Sequence, residues 1–562
     1  MDLQSSKPGD AVVEGLFVLR TLTLRIYYFL LLSALLVPIC ARSNAAADED
    51  ATRDRRHRQL FEKRQTVLDA LSRDLDSVRT WCTEHQLPDA EEEVARVSKH
   101  ILAPAADYSP SRFVTVPVSV SLPIDEQQWQ LQLRHHREER AKEMYTLARS
   151  TLRAGFPSMA FQMIGDVVRI DPDHKYARSI LGLQLFTDPI RRDAPEYAGE
   201  WVSSFEKQMR SGSRPQIHHP TYGWIPSGNV ARYEEGLRPW KGDWISDEKE
   251  LELRRDFRNA WEIPSENFLV KTNVSLEEGV QLSQRLEVFN TWLQQNFAAF
   301  FETPQALQER FDAAGSRSSS GRQNPMEVHY YATRDEYQKR VKDKVPPTIE
   351  TNGLYWQPER TSYFFANPDR TDFSTLYHEA THQILDVTTT EDRVRAAKIR
   401  GVKLRQRPAP PWVLSEKSNF WILEGLACYF ESFTVEDGNI SVGNPNYVRF
   451  DTARQRMLDP AFLFYLPAQQ FFALGKEEFQ HHPQVSPLYT QASGFTHFLM
   501  HYDDGLYRDD LITLLSQIYR PQPEQILEEP SLTRIAGVSF ETFDRQYRAH
   551  MQNLNQLIPL GN

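Results

Sequence analysis

Apolar residues Leu60, Val67, Leu71, Leu75 and Val78 recur at near-heptad spacing through an otherwise charged stretch. That pattern predicts a long amphipathic helix within 53–101, with a shorter one after Pro88. Proline and serine then crowd 104–123, where a Val-alternating piece (PVSVSLP) predicts a connector with one edge strand. Residues 141–182 return to a helical period, broken at Gly155 and Pro157 and closed by Asp171, Pro172 and Asp173, so a helical hairpin is expected. From 189 to 261, Trp201, Trp224, Trp240, Trp244 and Trp261 stand among glycines and prolines without a sustained period, which predicts loops and short strands.

The pattern changes near Pro264. FLVKT at 268–272 reads as a strand, and Ser275 with Glu278 three residues later is a capping-box start for a helix carrying Val280, Leu282, Leu286, Phe289, Trp292, Leu293 and Phe297. A polar loop at 316–322, a strand at 326–331, a short helix from Thr333 and strands at 353–356 and 362–366 come next, and then helices only. The fold class is therefore α+β, a small sheet followed by a helical half. The expected divisions are 1–47, 48–186, 187–262 and 263–556. The hairpin at 141–182 resembles a single tetratricopeptide unit; stacks of such units need three or more, so a packed helical region is expected in place of a solenoid.

Composition narrows the classes. With 562 residues, 65 Lys+Arg against 76 Asp+Glu, and 11% aromatic residues, the chain has the apolar area for sizeable cores and lacks the basic excess of a nucleic-acid binder. Three cysteines exclude a disulfide scaffold. Arg20 and Arg25 precede the apolar run 26–39, and Ala45, Ala46 and Ala47 come after it, the order of an export signal. That run is shorter than the roughly 20 residues that span a bilayer, so cleavage after Ala47 is expected, with an uncleaved anchor or lipidation at Cys40 as alternatives. The expected location is periplasmic, cell-surface or secreted, without stable membrane insertion.

The chemistry concentrates at YHEATHQILD, 377–386. His378 and His382 lie one turn apart on one helix face and can reach one zinc ion, with the Glu379 carboxylate placed as general base. A catalytic zinc site needs three protein ligands and an open position. No histidine occurs between His382 and His481, so the third ligand is sought among carboxylates. Glu424 stands in the apolar run NFWILEGLACYFESF, where burying a carboxylate is costly unless it is paired or bound to metal. Small Gly425 and Ala427 are expected to let this helix approach the one bearing the histidines. Asp386 is placed to accept a hydrogen bond from a ligand imidazole or to support its helix.

H-E-x-x-H followed by W-x-x-E-G-x-A resembles the gluzincin metallopeptidases, and the stretch from about 264 to 554 is similar to their bacterial peptidase-MA-like branch. The resemblance implies a thermolysin-like α+β core, Zn²⁺ held by His378, His382 and Glu424, Glu379 as general base, and a protein or peptide substrate. It also suggests Tyr489 as oxyanion donor, from its place on a helix downstream of Glu424. Two departures stand out: a charged insertion, 388–412, ending in RPAPPW, and the absence of the aminopeptidase motif G-x-M-E-N. An endopeptidase is expected, with substrate pairing at an exposed strand, 353–356 or 362–366. The competing expectation is a catalytically inactive gluzincin fold that binds metal or protein outside the cytoplasm. His497 and His501 also stand four apart but lack an intervening glutamate and read as solvated or core histidines; Cys428 reads as a buried small apolar residue.

Overall fold

The computed structural model describes residues 52–102, 111–189, 191–312, 324–345, 351–367, 373–399, 415–436, 439–520 and 529–557. The expected export signal, Cys40, the loop expected at 316–322 and the RPAPPW segment lie outside the described residues. The chain divides after Gln59, and the larger unit, Leu60–Asn562, contains the sheet and the helical half.

Residues 60–84 are helical and bury Leu60, Leu71, Leu75 and Val78, the stripe its period predicts. Pro88–Leu102 is the second helix. The hairpin is formed by α1 (Ile124–Arg153) and α2 (Pro157–Ile170), with Gly155 in the left-handed region at φ +90° and Pro157 opening α2. Arg64 reaches from the first helix to Asp166 on α2. PVSVSLP forms no strand: the connector makes one isolated bridge, Phe113 to Glu200. Pro117 and Pro123 remove two donors, and Val120, 90% exposed, has no sheet to cover. The tryptophan-rich segment contains two antiparallel strand pairs, Gln216–His219 with Gly223–Pro226 and Leu237–Trp240 with Asp243–Ser246, and a strand, Glu200–Ser203, that pairs back to Leu183–Phe186.

A five-stranded sheet comes next: β1 (Trp261–Pro264), β2 (Phe268–Thr272), β3 (Met326–Tyr331), β4 (Gly353–Trp356) and β5 (Thr361–Phe365), in the order β4-β5-β3-β2-β1. β2, β3 and β5 run parallel, whereas β1 and β4 pair antiparallel at the two edges. The segment at 362–366 is therefore an inner strand, and of the two strands expected to receive a peptide only 353–356 has an open edge. Helix α3 (Leu276–Asn296) is capped by Ser275, which accepts from the Glu278 N–H, and packs on β1 and β2.

The helical half contains α4 (Ser374–Ile399), α5 (Phe420–Phe430), α6 (Val485–His501), α7 (Arg508–Tyr519) and α8 (Phe540–Leu557). One core joins sheet and helices; Phe289 of α3 meets the rings of Tyr377, Phe430 and Phe433 at 5.1, 5.3 and 5.1 Å. The mixed helix-and-sheet order is that of an α+β fold. The first part of the charged insertion, 388–399, continues α4 as helix. Thr389 Oγ1 bonds back to the Leu385 carbonyl, and no glycine or proline intervenes before Gly401. Among the described residues no helix is long and apolar enough to cross a membrane.

Gly425 makes its close approach to α6, not to the histidine helix: a Cβ there would lie 2.7 Å from the Ala492 carbonyl oxygen and 2.6 Å from Thr496 Oγ1. Further along α6, His497 and His501 are core groups. His497 donates from Nε2 to the Gly443 carbonyl (3.1 Å) and accepts at Nδ1 from His550 Nε2 (3.0 Å), while His501 Nε2 pairs with the Tyr429 hydroxyl at 2.9 Å. Burial holds all three neutral, pushing His497 down to about 3, His550 to about 4 and His501 well below the usual value. Above an unfolded-state pKa of about 6.5 neither state takes these protons. Below it the unfolded chain binds up to three that the fold refuses, so stability falls by as much as about 4 kcal/mol per pH unit until the folded values are reached. The melting temperature should accordingly drop steeply from pH 7 to pH 5, and less steeply in His550→Gln; a flat profile would contradict the neutral cluster.

Candidate metal centre

Helix α4 is oriented by a residue that the sequence pattern did not single out. Gln383 is fully buried; its amide donates to the Glu327 and Arg360 carbonyls (2.8 and 2.9 Å) and accepts from Ser362 Oγ at 2.9 Å. These three bonds fix the helix against the sheet and leave His378, Glu379 and His382 half-buried on a neighbouring stripe. Helix α5 supplies the opposite wall. Ten of its eleven residues are buried and Glu424 is the exception, an arrangement that aims one carboxylate out of an apolar helix.

The three predicted ligands converge. Glu424 Oε2 lies 3.6 Å from His378 Nε2 and 3.9 Å from His382 Nε2, and the three donor atoms are all within 4.8 Å of one another. A tetrahedral ion with bonds of 2.0–2.1 Å spaces its ligands by about 3.4 Å, so the set needs only a small contraction to close on zinc. The donor chemistry fits as well: two imidazoles and a carboxylate with solvent access left for a further ligand.

Behind His378 stands a group that the sequence pattern did not reveal. Glu431 Oε1 lies 2.9 Å from His378 Nδ1; a carboxylate only accepts, so the hydrogen sits on Nδ1 and the Nε2 lone pair faces the other ligands. Arg449 grips both oxygens of Glu431, and the Tyr447 hydroxyl donates to Oε2 at 3.1 Å. Burial opposes charge on Glu431, but the bonds from His378 and Arg449 prevail and hold it down to about 2. The available signal was its spacing: Glu424, Cys428 and Glu431 form one helical stripe. Buried Cys428 accordingly groups with His378 and Glu431.

Without a cation the field of these carboxylates falls on the imidazoles. For His378, burial works against the charged ring, yet contacts with Cys428, Glu424 and Glu431 outweigh it and raise the ring well above an ordinary histidine. Burial keeps His382 low. Glu424 also feels burial first, but His378 and His382 draw it below the usual carboxylate range. The site favours positive charge at its centre. Glu431→Gln should weaken zinc binding by about 10–100-fold, measured by competition with a chromogenic chelator, because the glutamine leaves the tautomer less constrained; unchanged affinity would deny Glu431 that role.

Glu379 Oε2 accepts the Tyr355 backbone N–H at 2.6 Å, which brings the proposed base to the edge strand β4. That N–H leaves the sheet, so by the antiparallel alternation Gly353 and Tyr355 present their backbone groups on the open side. Asp386 reaches no imidazole. It lies two turns beyond Glu379 on the stripe facing β4, where it accepts from the Tyr355 hydroxyl (2.6 Å) and Gln357 Nε2 (2.9 Å) and so ties strand to helix. Tyr489, the fifth residue of α6, is half-buried with its ring edge-on to Phe479 at 5.3 Å. Burial, reinforced by the negative charge of Glu424, raises its phenol far above the usual value and keeps it a neutral donor in electrostatic reach of the site. Buried Tyr519 at the end of α7 feels Asp386 and Glu424 in the same way. No protein-family model, no curated protein and no solved structure matches this chain, so the functional reading rests on these residues and their arrangement.

Proposed function

We propose that the chain is an exported zinc-dependent metallopeptidase, an endopeptidase of the gluzincin type with a thermolysin-like core behind a helical region containing one tetratricopeptide-like hairpin. The observation that carries this reading is the convergence of His378 Nε2, His382 Nε2 and Glu424 Oε2 with Glu379 beside them on the same helix. The first three would hold the ion. When bound, zinc supplies Lewis acidity that polarises the scissile carbonyl and acidifies the attacking water. Glu379 takes the proton from water and returns it to the leaving amine. Tyr489 donates toward the developing oxyanion from its station near Glu424.

An extended peptide lies along the open edge of β4, its backbone paired with Gly353 and Tyr355. That placement runs the substrate past Glu379, because the Tyr355 N–H already touches its carboxylate. Peptide backbone would then compete for the N–H and release the base for proton transfer. The test is zinc content of the purified full chain together with cleavage of a mixed peptide library before and after chelation. One zinc per chain with chelator-sensitive internal cleavage supports the reading; one zinc without cleavage favours the inactive metal-binding module, and no zinc refutes the site.

A further inference from the structure

Away from the metal centre, a pocket of about 590 Å³ opens where the helix over 60–84 and α2 meet the α6–α7 turn. That volume is in the range of small-molecule sites. Three guanidiniums line it, those of Arg64, Arg169 and Arg508, with His501 and the carboxylates of Asp69 and Asp504. The first two cations share one buried anion, Asp166. Asp69 accepts from Gln65 Nε2 at 2.8 Å, and Asp504 is exposed.

Arg508 is different. Its side chain belongs to a residue only 9% exposed, and Nε and Nη2 donate to the Met500 carbonyl at 3.2 and 2.8 Å. It forms no ion pair with any described carboxylate, and Nη1 bonds to no described group yet is not sealed from solvent. Capping the end of α6 accounts for two of its nitrogens. It leaves a buried positive charge with no directly paired anion, since Asp509 and Asp504 reach it only through space, and a ligand anion in contact with it would complete the balance. The backbone is shaped to hold it there: Asp503, Asp504 and Gly505 are consecutive left-handed residues at φ 47°, 59° and 87°. A Cβ at Gly505 would come within 3.0 Å of Arg508 Nη2, so glycine admits the guanidinium.

We propose that this pocket binds a small oxyanion, a ligand bearing carboxylate or phosphate groups, anchored by Arg508 with Arg64 and Arg169 completing the positive wall. Planar guanidiniums match both headgroups through paired donors. The Nη1 of Arg508 supplies such a donor. Asp504, on the rim, disfavours bulky polyanions and favours a ligand with one compact anionic end.

The experiment is calorimetric titration of the full chain at low ionic strength with inorganic phosphate and, separately, acetate. Saturable binding of one molecule per chain is expected, and the tighter of the two probes identifies the headgroup class. Arg508→Gln should weaken binding by about tenfold or more, as loss of a charge-assisted bond does, with zinc content unchanged. Should that variant fail to fold, Arg64→Gln, on the more open wall, carries the same expectation. No saturable heat with either probe up to about 10 mM, weaker than any useful affinity, would overturn the proposal. So would affinity unchanged in the variants.

Discussion

Replacing Glu379 with glutamine is expected to lower peptide hydrolysis by about 10²–10⁴-fold while leaving one zinc per chain, the loss typical of a removed general base. The side chain is nearly isosteric and is not a ligand, so its amide can still face the Tyr355 backbone that Glu379 now meets at 2.6 Å. The effect should therefore appear in kcat, with KM for a peptide substrate changed little. Single-turnover cleavage with metal analysis of the same sample checks it. Equal turnover in both proteins would remove Glu379 from the chemistry and assign the proton transfer to another group.

Glu424→Ala is expected to abolish stable zinc binding altogether. It removes the only carboxylate among the three convergent ligands and leaves two imidazoles on a single helix, too few for a catalytic site. Without metal the variant should melt at or below the parent, because the carboxylate it loses is paired with His378 and His382, which hold it below the usual range. The parent alone should then gain stability on zinc addition, by about 4 kcal/mol when free zinc is a thousandfold above its dissociation constant. Calorimetric melting of both proteins with and without zinc separates ligand loss from misfolding. A zinc-dependent rise in the variant equal to that of the parent would assign the third ligand elsewhere. The two substitutions thus divide the proposed chemistry cleanly: one should keep the ion and lose turnover, the other should lose both.

Much of the centre was legible because its requirements are local. A separation of four on a helix puts His378 and His382 on one face whatever surrounds them, and a lone Glu424 in an apolar run declares itself by the cost of burying it. The Ser275 cap, the Pro157 start and the period of 60–84 were legible for the same reason. Glu431 was not. Its stripe with Glu424 could be counted, but its partners Arg449 and Tyr447 come from a separate segment that only packing brings against α5. Asp386 was left between two roles, an imidazole partner or a support for its helix, and the register of β4 decided for the support. PVSVSLP shows an error instead: alternation without a partner sheet is no strand.

By itself, then, the sequence determined which side chains could hold a cation, on what kind of element each stands, and that a small sheet precedes a helical half. Those properties come from helical period, side-chain chemistry and the cost of burying charge, all of which act over a few residues. Only the tertiary structure decided which strand edge stays open beside Glu379, what locks the His378 tautomer, that Gly425 serves contact with α6, and that three arginines from distant segments line one pocket. Such facts depend on the rotation of whole helices about their axes and on strand order, which are set by the sum of many long-range contacts and written in no single stretch of the chain.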